Sequence, residues 1–394
     1  MSIRYTSDLI DSCSGRPPQG CRLCDRGAKM VLYITGVCME DCFYCPLSEE
    51  KKGNDVTFAN ERRVDGDDWL DMVVLEARRM KALGTGITGG DPMAVVDRTV
   101  QAISRLRSEF GPRHHMHLYT TGSFDKEALG RVKKAGLDEI RFHPPVWMWG
   151  GFRFLGRDHE QGDPAEARQV HELIHEARRS KLSTGLEVPA LVDPRGSSGI
   201  YSRGLYHLLE YAAREGIDFV NVNELEASHT NMGVFKRLGY DLVGDSMAVK
   251  GSYELAFRTI EKVRDIDHQR RTVFHICTSV YKDSIQLRNR LIRTAKNTAR
   301  PFEIVTEDGT FLRGIIETDD PSNIYGHLSR VYDVPPELMV IENGKVLIAP
   351  WVLEELGPEI EGTSYISEVY PTCDALEVER TPIEMKAPTR RFNK

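Results

Sequence analysis

Between residues 30 and 280 the chain repeatedly alternates short apolar runs of strand character with amphipathic segments of helical period. Such alternation predicts a parallel sheet with right-handed crossovers. We expect strands at 31–35, 86–88, 115–121, 139–143, 183–188 and 219–223, with a further strand at 272–277. About six strand–helix units are too few to close an eight-fold barrel. The pattern therefore predicts an α/β fold with a partial (β/α)6, TIM-like barrel.

The sequence changes character near residue 300. Arg300-Pro301 ends a basic helical stretch, and short strands follow it. Asp308-Gly309 and Asn343-Gly344 separate these strands, and both pairs favour tight hairpins. We therefore predict an N-terminal cysteine-containing extension (1–29), the barrel (30–300) and a small C-terminal α+β domain (301–394).

Charge and hydropathy bear on partners and location. The formal net charge is −7, which is not typical of a general nucleic-acid binder, although a local basic face stays open. No apolar run reaches the roughly 18 residues of a membrane span, and the N-terminus lacks an apolar signal core. We predict a cytoplasmic protein. In that compartment its eight cysteines indicate metal binding rather than disulfides.

Cys38, Cys42 and Cys45 follow the first predicted strand with the spacing C-x3-C-x2-C. Three thiolates on one short loop can hold three irons of a [4Fe-4S] cube, which leaves the fourth iron open to a small molecule. The alternatives are a zinc site or three unrelated thiols. Zinc usually takes four ligands, often as two pairs, so the spacing favours the cluster.

Further candidate residues lie at the ends of predicted strands. Gly89 and Gly90 follow the second strand, where glycine lets the backbone approach a ligand closely. Barrel sites occupy the carboxyl ends of the strands, so we expect these ends and the cysteine loop to line one cavity. Glu187 has a second interpretation, a buried pair with Arg141 of the neighbouring strand. The predicted cofactor-binding residues are Tyr44, Gly89, Gly90, Asp91, Thr121, Glu187 and Asn223.

Cys21 and Cys24, with Cys13 upstream, form a second group of thiols. They could hold a second metal or an auxiliary iron–sulfur cluster, completed by Cys277 or Cys373. The alternative is a set of reduced thiols beneath the cluster loop. The sequence leaves this choice open, because no fourth ligand is close in the chain.

The cysteine loop, with Tyr44 before its last cysteine, and the turn Gly89-Gly90-Asp91-Pro92 together resemble the radical S-adenosylmethionine (SAM) enzymes. The resemblance implies that SAM chelates the open iron, and that reductive cleavage yields a 5'-deoxyadenosyl radical. It also implies an electron donor such as ferredoxin or flavodoxin. Tyr44 would lie beside the adenine and the glycine turn at the methionine amine. The family's usual Glu is Asp91 here.

Residues 20–29, 42–52, 58–62 and 287–297 resemble an archaeal group related to pyruvate formate-lyase activating enzymes. One candidate in that group is the cobalamin-dependent enzyme that Cα-methylates a glutamine in methyl-coenzyme M reductase. The resemblance then implies a protein or peptide substrate and cobalamin as a further cofactor, although a D-x-H-x-x-G cobalamin motif is missing. The alternatives are a glycyl-radical activase, an RNA-modifying radical enzyme that uses the basic helix 281–300, and a non-enzymatic zinc adaptor.

Overall fold

The structure, a computed structural model, describes residues 15–64, 66–155, 165–267, 271–356 and 359–383. The chain divides into two compact units. The first comprises the described residues up to Arg78 together with Ala82–Leu287, and the second comprises Arg79–Lys81 and the described residues from Arg288 onward. The predicted boundary at residue 300 lies just beyond the helix Arg288–Thr298, which groups with the second unit.

The first unit is built on one large sheet. Its strands are β1 (Lys29–Tyr33), β2 (Phe58–Ala59), β3 (Arg62–Arg63), β4 (Gly84–Thr88), β5 (His115–Thr120), β6 (Glu139–Phe142), β7 (Ser183–Pro189), β8 (Phe219–Asn223) and β9 (Val273–Cys277). Their order in the sheet is β3-β2-β1-β4-β5-β6-β7-β8-β9. β1 and β4 to β9 are parallel, and the hairpin of β2 and β3 adds an antiparallel edge.

Helices connect successive parallel strands. The longer ones are Trp69–Arg79, Val96–Phe110, Lys126–Ala135, Ala165–Arg179, Ile200–Glu215 and Ser252–Arg264, with shorter helices at Gln19–Asp25, Met232–Leu238 and Ser279–Tyr281. Local signals set their ends. Asp125 caps Lys126–Ala135 by accepting the Ala128 N–H, and Gly136 ends that helix at φ +117°. None of the described helices is long and apolar enough to cross a membrane.

The two faces of the parallel strands differ in chemistry. Apolar residues at alternate positions are fully buried, among them Leu32, Ile87, Leu118, Ile140, Leu186 and Val220. Because strand side chains alternate between faces, the positions between them belong to the opposite face. There β5 and β6 carry His115, His117, Tyr119, Glu139 and Arg141, and we call this polar side the inner face.

The second unit contains an antiparallel sheet. Its strands are β10 (Ile304–Val305), β11 (Phe311–Glu317), β12 (Met339–Glu342), β13 (Lys345–Ile348), β14 (Thr363–Val369) and β15 (Glu377–Pro382), in the order β12-β13-β11-β14-β15 with β10 paired to β11. Its other helices are Pro321–Val331 and Pro350–Leu356. Asn343 and Gly344 turn from β12 to β13 with φ of +50° and +73°, as a tight hairpin requires. The predicted fold class is confirmed: a partial α/β barrel of parallel strands and a small α+β domain.

Candidate radical SAM site

A cavity of about 520 Å³ lies at the carboxyl ends of the parallel strands in the first unit. Its wall combines the cysteine loop after β1, the glycine turn after β4 and the ends of β5 to β8. The structure brings these sequence-predicted residues to that wall: Cys38, Cys42, Cys45, Tyr44, Gly89, Gly90, Thr121, Glu187 and Asn223. Asp91 is not among the lining residues. The roles of these side chains as ligands stay predictions.

The three cysteine sulfurs do not all lie within 4.8 Å of one another. Within the described ranges, one group of three His, Cys, Asp or Glu side chains does bring its ligand atoms within that distance. It consists of His115, His117 and Glu139. A single tetrahedral zinc would bring thiolates to about 3.8 Å from one another. A cube presents its irons at separate corners and accepts a wider spacing. The cysteine loop therefore fits a cluster better than the zinc alternative.

The donor chemistry of the loop also fits iron. Burial raises the pKa of Cys38 and of Cys42 to about 11, so both are neutral thiols when no cation is near. Soft thiolates are the ligands of iron–sulfur clusters, and their binding releases the thiol protons. Cys45 is tied back to Cys42 by its backbone N–H, which donates to the Cys42 carbonyl at 3.0 Å.

The glycine turn is fastened directly to the cysteine loop. The N–H of Gly90 donates to Thr35 O, and the N–H of Asp91 donates to Val37 O, each at 2.8 Å. A Cβ on Gly90 would collide with the Val37 carbonyl oxygen, and one on Gly89, where φ is +155°, with the Thr35 carbonyl oxygen. Glycine is thus required for contact between the two loops as well as for approach to a ligand.

The Asp91 carboxylate points away from the cavity and joins β4 to β5. It accepts hydrogen bonds from Thr120 Oγ1 (3.0 Å), Thr121 N (2.9 Å), Thr121 Oγ1 (2.6 Å) and Met93 N (2.9 Å). Burial raises the pKa of this carboxyl, although the four hydrogen bonds oppose the shift. Asp91 therefore acts on the cavity by positioning the glycine turn and Thr121.

Glu187 makes the pair that sequence reasoning offered as its second interpretation. Its Oε2 accepts from Arg141 NH1 at 2.6 Å, and its Oε1 accepts from Asn223 Nδ2 at 3.2 Å. Burial alone would raise the pKa of Glu187, but the Arg141 guanidinium holds it below its usual value. Glu187 thus presents an ionised, oriented carboxylate to the cavity.

Tyr44 and His143 form the wall beside the cysteines. The Tyr44 side chain is buried and its hydroxyl lies 3.3 Å from His143 Nε2. His143 Nδ1 lies 2.7 Å from the Glu187 carbonyl, which can only accept, so Nδ1 carries the proton and Nε2 accepts from Tyr44. Burial lowers the pKa of His143, which keeps the imidazole neutral.

The structure brings together some of the cysteines predicted to form the second thiol group. Cys13 lies outside the described residues. Cys24 Sγ contacts Gln286 Oε1 at 3.0 Å, and Gln286 Nε2 contacts Cys277 Sγ at 3.6 Å, so one amide bridges the two thiols. Burial raises the pKa of Cys21 to about 11. Cys373 belongs to the second unit. A second metal centre at these thiols stays a prediction.

The structure adds site residues that sequence reasoning missed. Asn231 is buried, and its Nδ2 donates to the carbonyls of Tyr44 (3.2 Å) and Glu226 (3.1 Å), which holds the cysteine loop from 187 residues away in the chain. Lys282 lines the cavity and pairs with Glu226 at 2.7 Å. No local signal marks Asn231. Lys282 opens a π-helical turn, Lys282–Leu287, a feature frequent at functional sites.

Asn231→Leu is expected to destabilise the protein by about 1–3 kcal/mol, because it leaves a buried carbonyl of the cysteine loop without a donor. Iron retention should fall with it. The matched control is Asn54→Leu. Asn54 Nδ2 also bridges two carbonyls of this loop, those of Glu49 and Glu50, but at an exposed position where water can replace the amide. Urea unfolding and iron analysis of both variants check the prediction, and equal losses would contradict it.

The basic helix predicted at 281–300 has acidic partners. Arg288 pairs with Asp308 at 2.9 Å, and Arg300 pairs with Glu303 and Glu342. These partners occupy guanidinium groups that a phosphate would otherwise use. The contacts favour a structural interpretation of this stretch over a nucleic-acid surface.

Known proteins resemble the chain in both units. Residues 32–145 match the model of the Radical SAM superfamily, and residues 309–383 match a model described as a domain of unknown function. A protein of Methanocaldococcus jannaschii, named as a glycyl-radical enzyme activating enzyme, is 34% identical over 396 residues, which is 98% of each chain.

Solved structures give partial matches. One is the radical SAM methyltransferase TsrM from Kitasatospora setae with cobalamin and a [4Fe-4S] cluster bound, at 13% identity and a TM-score of 0.36. That match covers 55% of this chain and 41% of the methyltransferase, so the chain spans less than half of its length. Another is methylornithine synthase, at 11% identity and a TM-score of 0.37, covering 64% of this chain and 71% of that one.

Proposed function

Because the chain belongs to the radical SAM superfamily, we propose that it modifies a C–H bond of a protein or peptide substrate in the cavity at its strand ends. Membership of the superfamily implies a [4Fe-4S] cluster and SAM. The bound cluster and SAM supply a radical that abstracts hydrogen from carbon. The observation that carries the proposal is the single cavity wall that joins the cysteine loop, the glycine turn and the polar strand ends.

The residues of the cavity wall would have different roles in binding the cluster and SAM. Cys38, Cys42 and Cys45 would hold three irons. Gly89 and Gly90 offer backbone groups that no side chain obstructs. The polar side chains at the strand ends would orient SAM. A radical enzyme must hold one substrate hydrogen within reach of the radical and keep water away from it. We assign that positioning to the following side chains: Tyr44, Thr121, Glu187 and Asn223.

Activation of a glycyl-radical enzyme is the first specific candidate. Its support is the name of the Methanocaldococcus jannaschii relative, which matches this chain over nearly its whole length. Such an activase removes one hydrogen from a glycine of its partner protein and needs no methyl donor. Its products are 5'-deoxyadenosine, methionine and a glycyl radical in the partner.

The second specific candidate is cobalamin-dependent C-methylation of a glutamine in methyl-coenzyme M reductase. Its support is the resemblance of several sequence stretches to the archaeal group described above. Methylation would consume SAM in two ways, as the source of the radical and as the source of the methyl group. The second use would leave S-adenosylhomocysteine as a product.

The test uses the full chain, purified and reconstituted without oxygen, with SAM and a strong reductant. It is offered in turn a peptide that carries the reductase glutamine and a glycyl-radical enzyme. A peptide heavier by about 14 Da, with S-adenosylhomocysteine and corrinoid absorbance, identifies the methyltransferase. A glycyl-radical EPR signal without S-adenosylhomocysteine identifies the activase. Failure to form 5'-deoxyadenosine under any condition would overturn the proposed function. Product formed on RNA, with salt-dependent binding, would overturn the protein substrate.

A further inference from the structure

We propose that His115, His117 and Glu139 bind a divalent transition metal, with zinc the best match, at the end of the inner face opposite the SAM cavity. His115 and Glu139 are the first residues of β5 and β6, whereas the cavity lies at the carboxyl ends of the same strands. One ligand atom from each of the three residues lies within 4.8 Å of the other two. Two imidazoles and a carboxylate are a usual zinc donor set.

The spacing within the group is that of co-ligands. His115 Nε2 lies 3.3 Å from Glu139 Oε2, yet this buried nitrogen has no hydrogen bond of acceptable geometry. Metal bonds of about 2.0–2.1 Å in a tetrahedron place neighbouring ligand atoms about 3.3 Å apart. The distance therefore suits two atoms that share an ion. A pair between Glu139 and protonated His115 is the competing explanation, and the test separates the two.

His117 supplies an independent observation. Its side chain is completely buried, and its Nδ1 has no hydrogen-bond partner. Buried polar atoms nearly always have a hydrogen-bond partner, so a buried nitrogen without one needs an explanation, such as a bound metal ion.

Glu139 is oriented as a ligating carboxylate would be. Arg141 Nε donates to Oε1 at 2.7 Å, whereas Oε2 faces His115 Nε2 at 3.3 Å and receives a long 3.4 Å contact from the N–H of Gly20. Ligating carboxylates usually accept such a supporting hydrogen bond on the other oxygen. The guanidinium also donates to Glu187 at 2.6 Å.

The position of the three proposed ligands indicates that the metal ion would have a structural role. The backbone of the helix Gln19–Asp25 comes close because Gly20 has no side chain: a Cβ there would lie 2.8 Å from His117 Nδ1. A metal at this point would join β5 and β6 beneath that helix. The sequence signal is the i, i+2 spacing of His115 and His117, which places both on one face of a strand. A search for helix spacing overlooks it.

The test measures zinc in the full chain with its cluster loaded, after a chelator wash and titration with zinc. We expect about one zinc per chain in the wild type and a fall of about ten-fold in His117→Gln and in Glu139→Gln. His114→Gln is the matched control and should keep its zinc, because His114 Nε2 lies on the other face, 2.8 Å from Thr85 Oγ1. Zinc X-ray absorption of the wild type should show nitrogen and oxygen ligands.

Three results would overturn the proposal: less than about 0.1 zinc per wild-type chain, undiminished zinc in His117→Gln, or sulfur ligands in the absorption spectrum. The spectrum needs only wild-type protein, so it decides even if a variant does not fold. Cluster iron and 5'-deoxyadenosine formation report on the other end of the barrel. Failure of the zinc site would thus leave the proposed function standing, and the reverse also holds.

Discussion

Replacing Cys38, Cys42 or Cys45 by alanine should lower the yield of 5'-deoxyadenosine by about 10³-fold or more, because a cube held by two thiolates is lost or cannot bind SAM productively. Each variant is purified without oxygen, reconstituted with iron and sulfide, and incubated with SAM and dithionite. Iron content, sulfide content and the EPR signal of the reduced cluster are measured beside the product. The three variants should behave alike, since each removes one corner of the same cluster.

Ser48→Ala is the matched control. Ser48 lies on the same loop as the three cysteines, but it is exposed and does not line the cavity. Its iron content and product yield should equal those of the wild type. A Cys42→Ala variant that still formed 5'-deoxyadenosine at the wild-type rate would refute the ligand assignment.

Arg141→Met should lower the free energy of unfolding by about 3–5 kcal/mol, the usual effect of breaking a buried ion pair from one side. Arg141 is 2% exposed and contacts the buried carboxylate of Glu139 at 2.7 Å and the half-buried carboxylate of Glu187 at 2.6 Å. Methionine fills much of the volume but donates no hydrogen bond. Urea unfolding at pH 8 measures the loss. Arg131→Met removes an exposed pair with Asp97 and should change stability by less than about 1 kcal/mol.

The loss in Arg141→Met should shrink as the pH falls from 8 to 5. In the wild type, burial alone would raise the pKa of Glu139, but Arg141 holds it well below its usual range. That carboxylate therefore stabilises the fold at pH values above its unfolded pKa of about 4.3, and the contribution disappears as the pH falls through the lower, folded value.

In protein freed of metal by a chelator, and without the guanidinium, burial should raise the folded pKa of Glu139 above the unfolded one. Protonation then relieves the defect at mildly acid pH. Adding Glu139→Gln and Glu187→Gln to Arg141→Met should recover part of the stability at pH 8. A loss that grew on acidification would contradict this account.

Alternation of strand and helix was enough to predict the parallel strands in their observed order, because each apolar run is buried against helices on one face. The other face was harder to read. His115, His117, Glu139 and Arg141 alternate with apolar residues, and this alternation is the same whether the polar face of a strand meets solvent or is enclosed by the protein. The ion-pair network became visible once the register paired His117 with Glu139 and Tyr119 with Arg141.

The cysteine loop was predictable because its spacing is local. Its support was not, because Asn231 reaches Tyr44 across 187 residues and nothing near Asn231 marks it. The strand hairpin at Phe58–Ala59 and Arg62–Arg63 was missed for a simpler reason: two-residue strands carry no periodicity. Motifs formed by neighbouring residues can be recognised in a sequence, whereas contacts between residues far apart in the chain become visible only in the folded structure.

Asp91 changes how a substitution in the glycine turn should be judged. A comparison of sequence motifs treats Asp and Glu at this position as equivalent acidic residues. Here the shorter side chain fits a space bounded by Thr120, Thr121 and the Met93 amide, and all of its hydrogen bonds depend on that length. We expect relatives with Glu at this position to differ at the two threonines as well. The three positions should therefore vary together as one inherited unit.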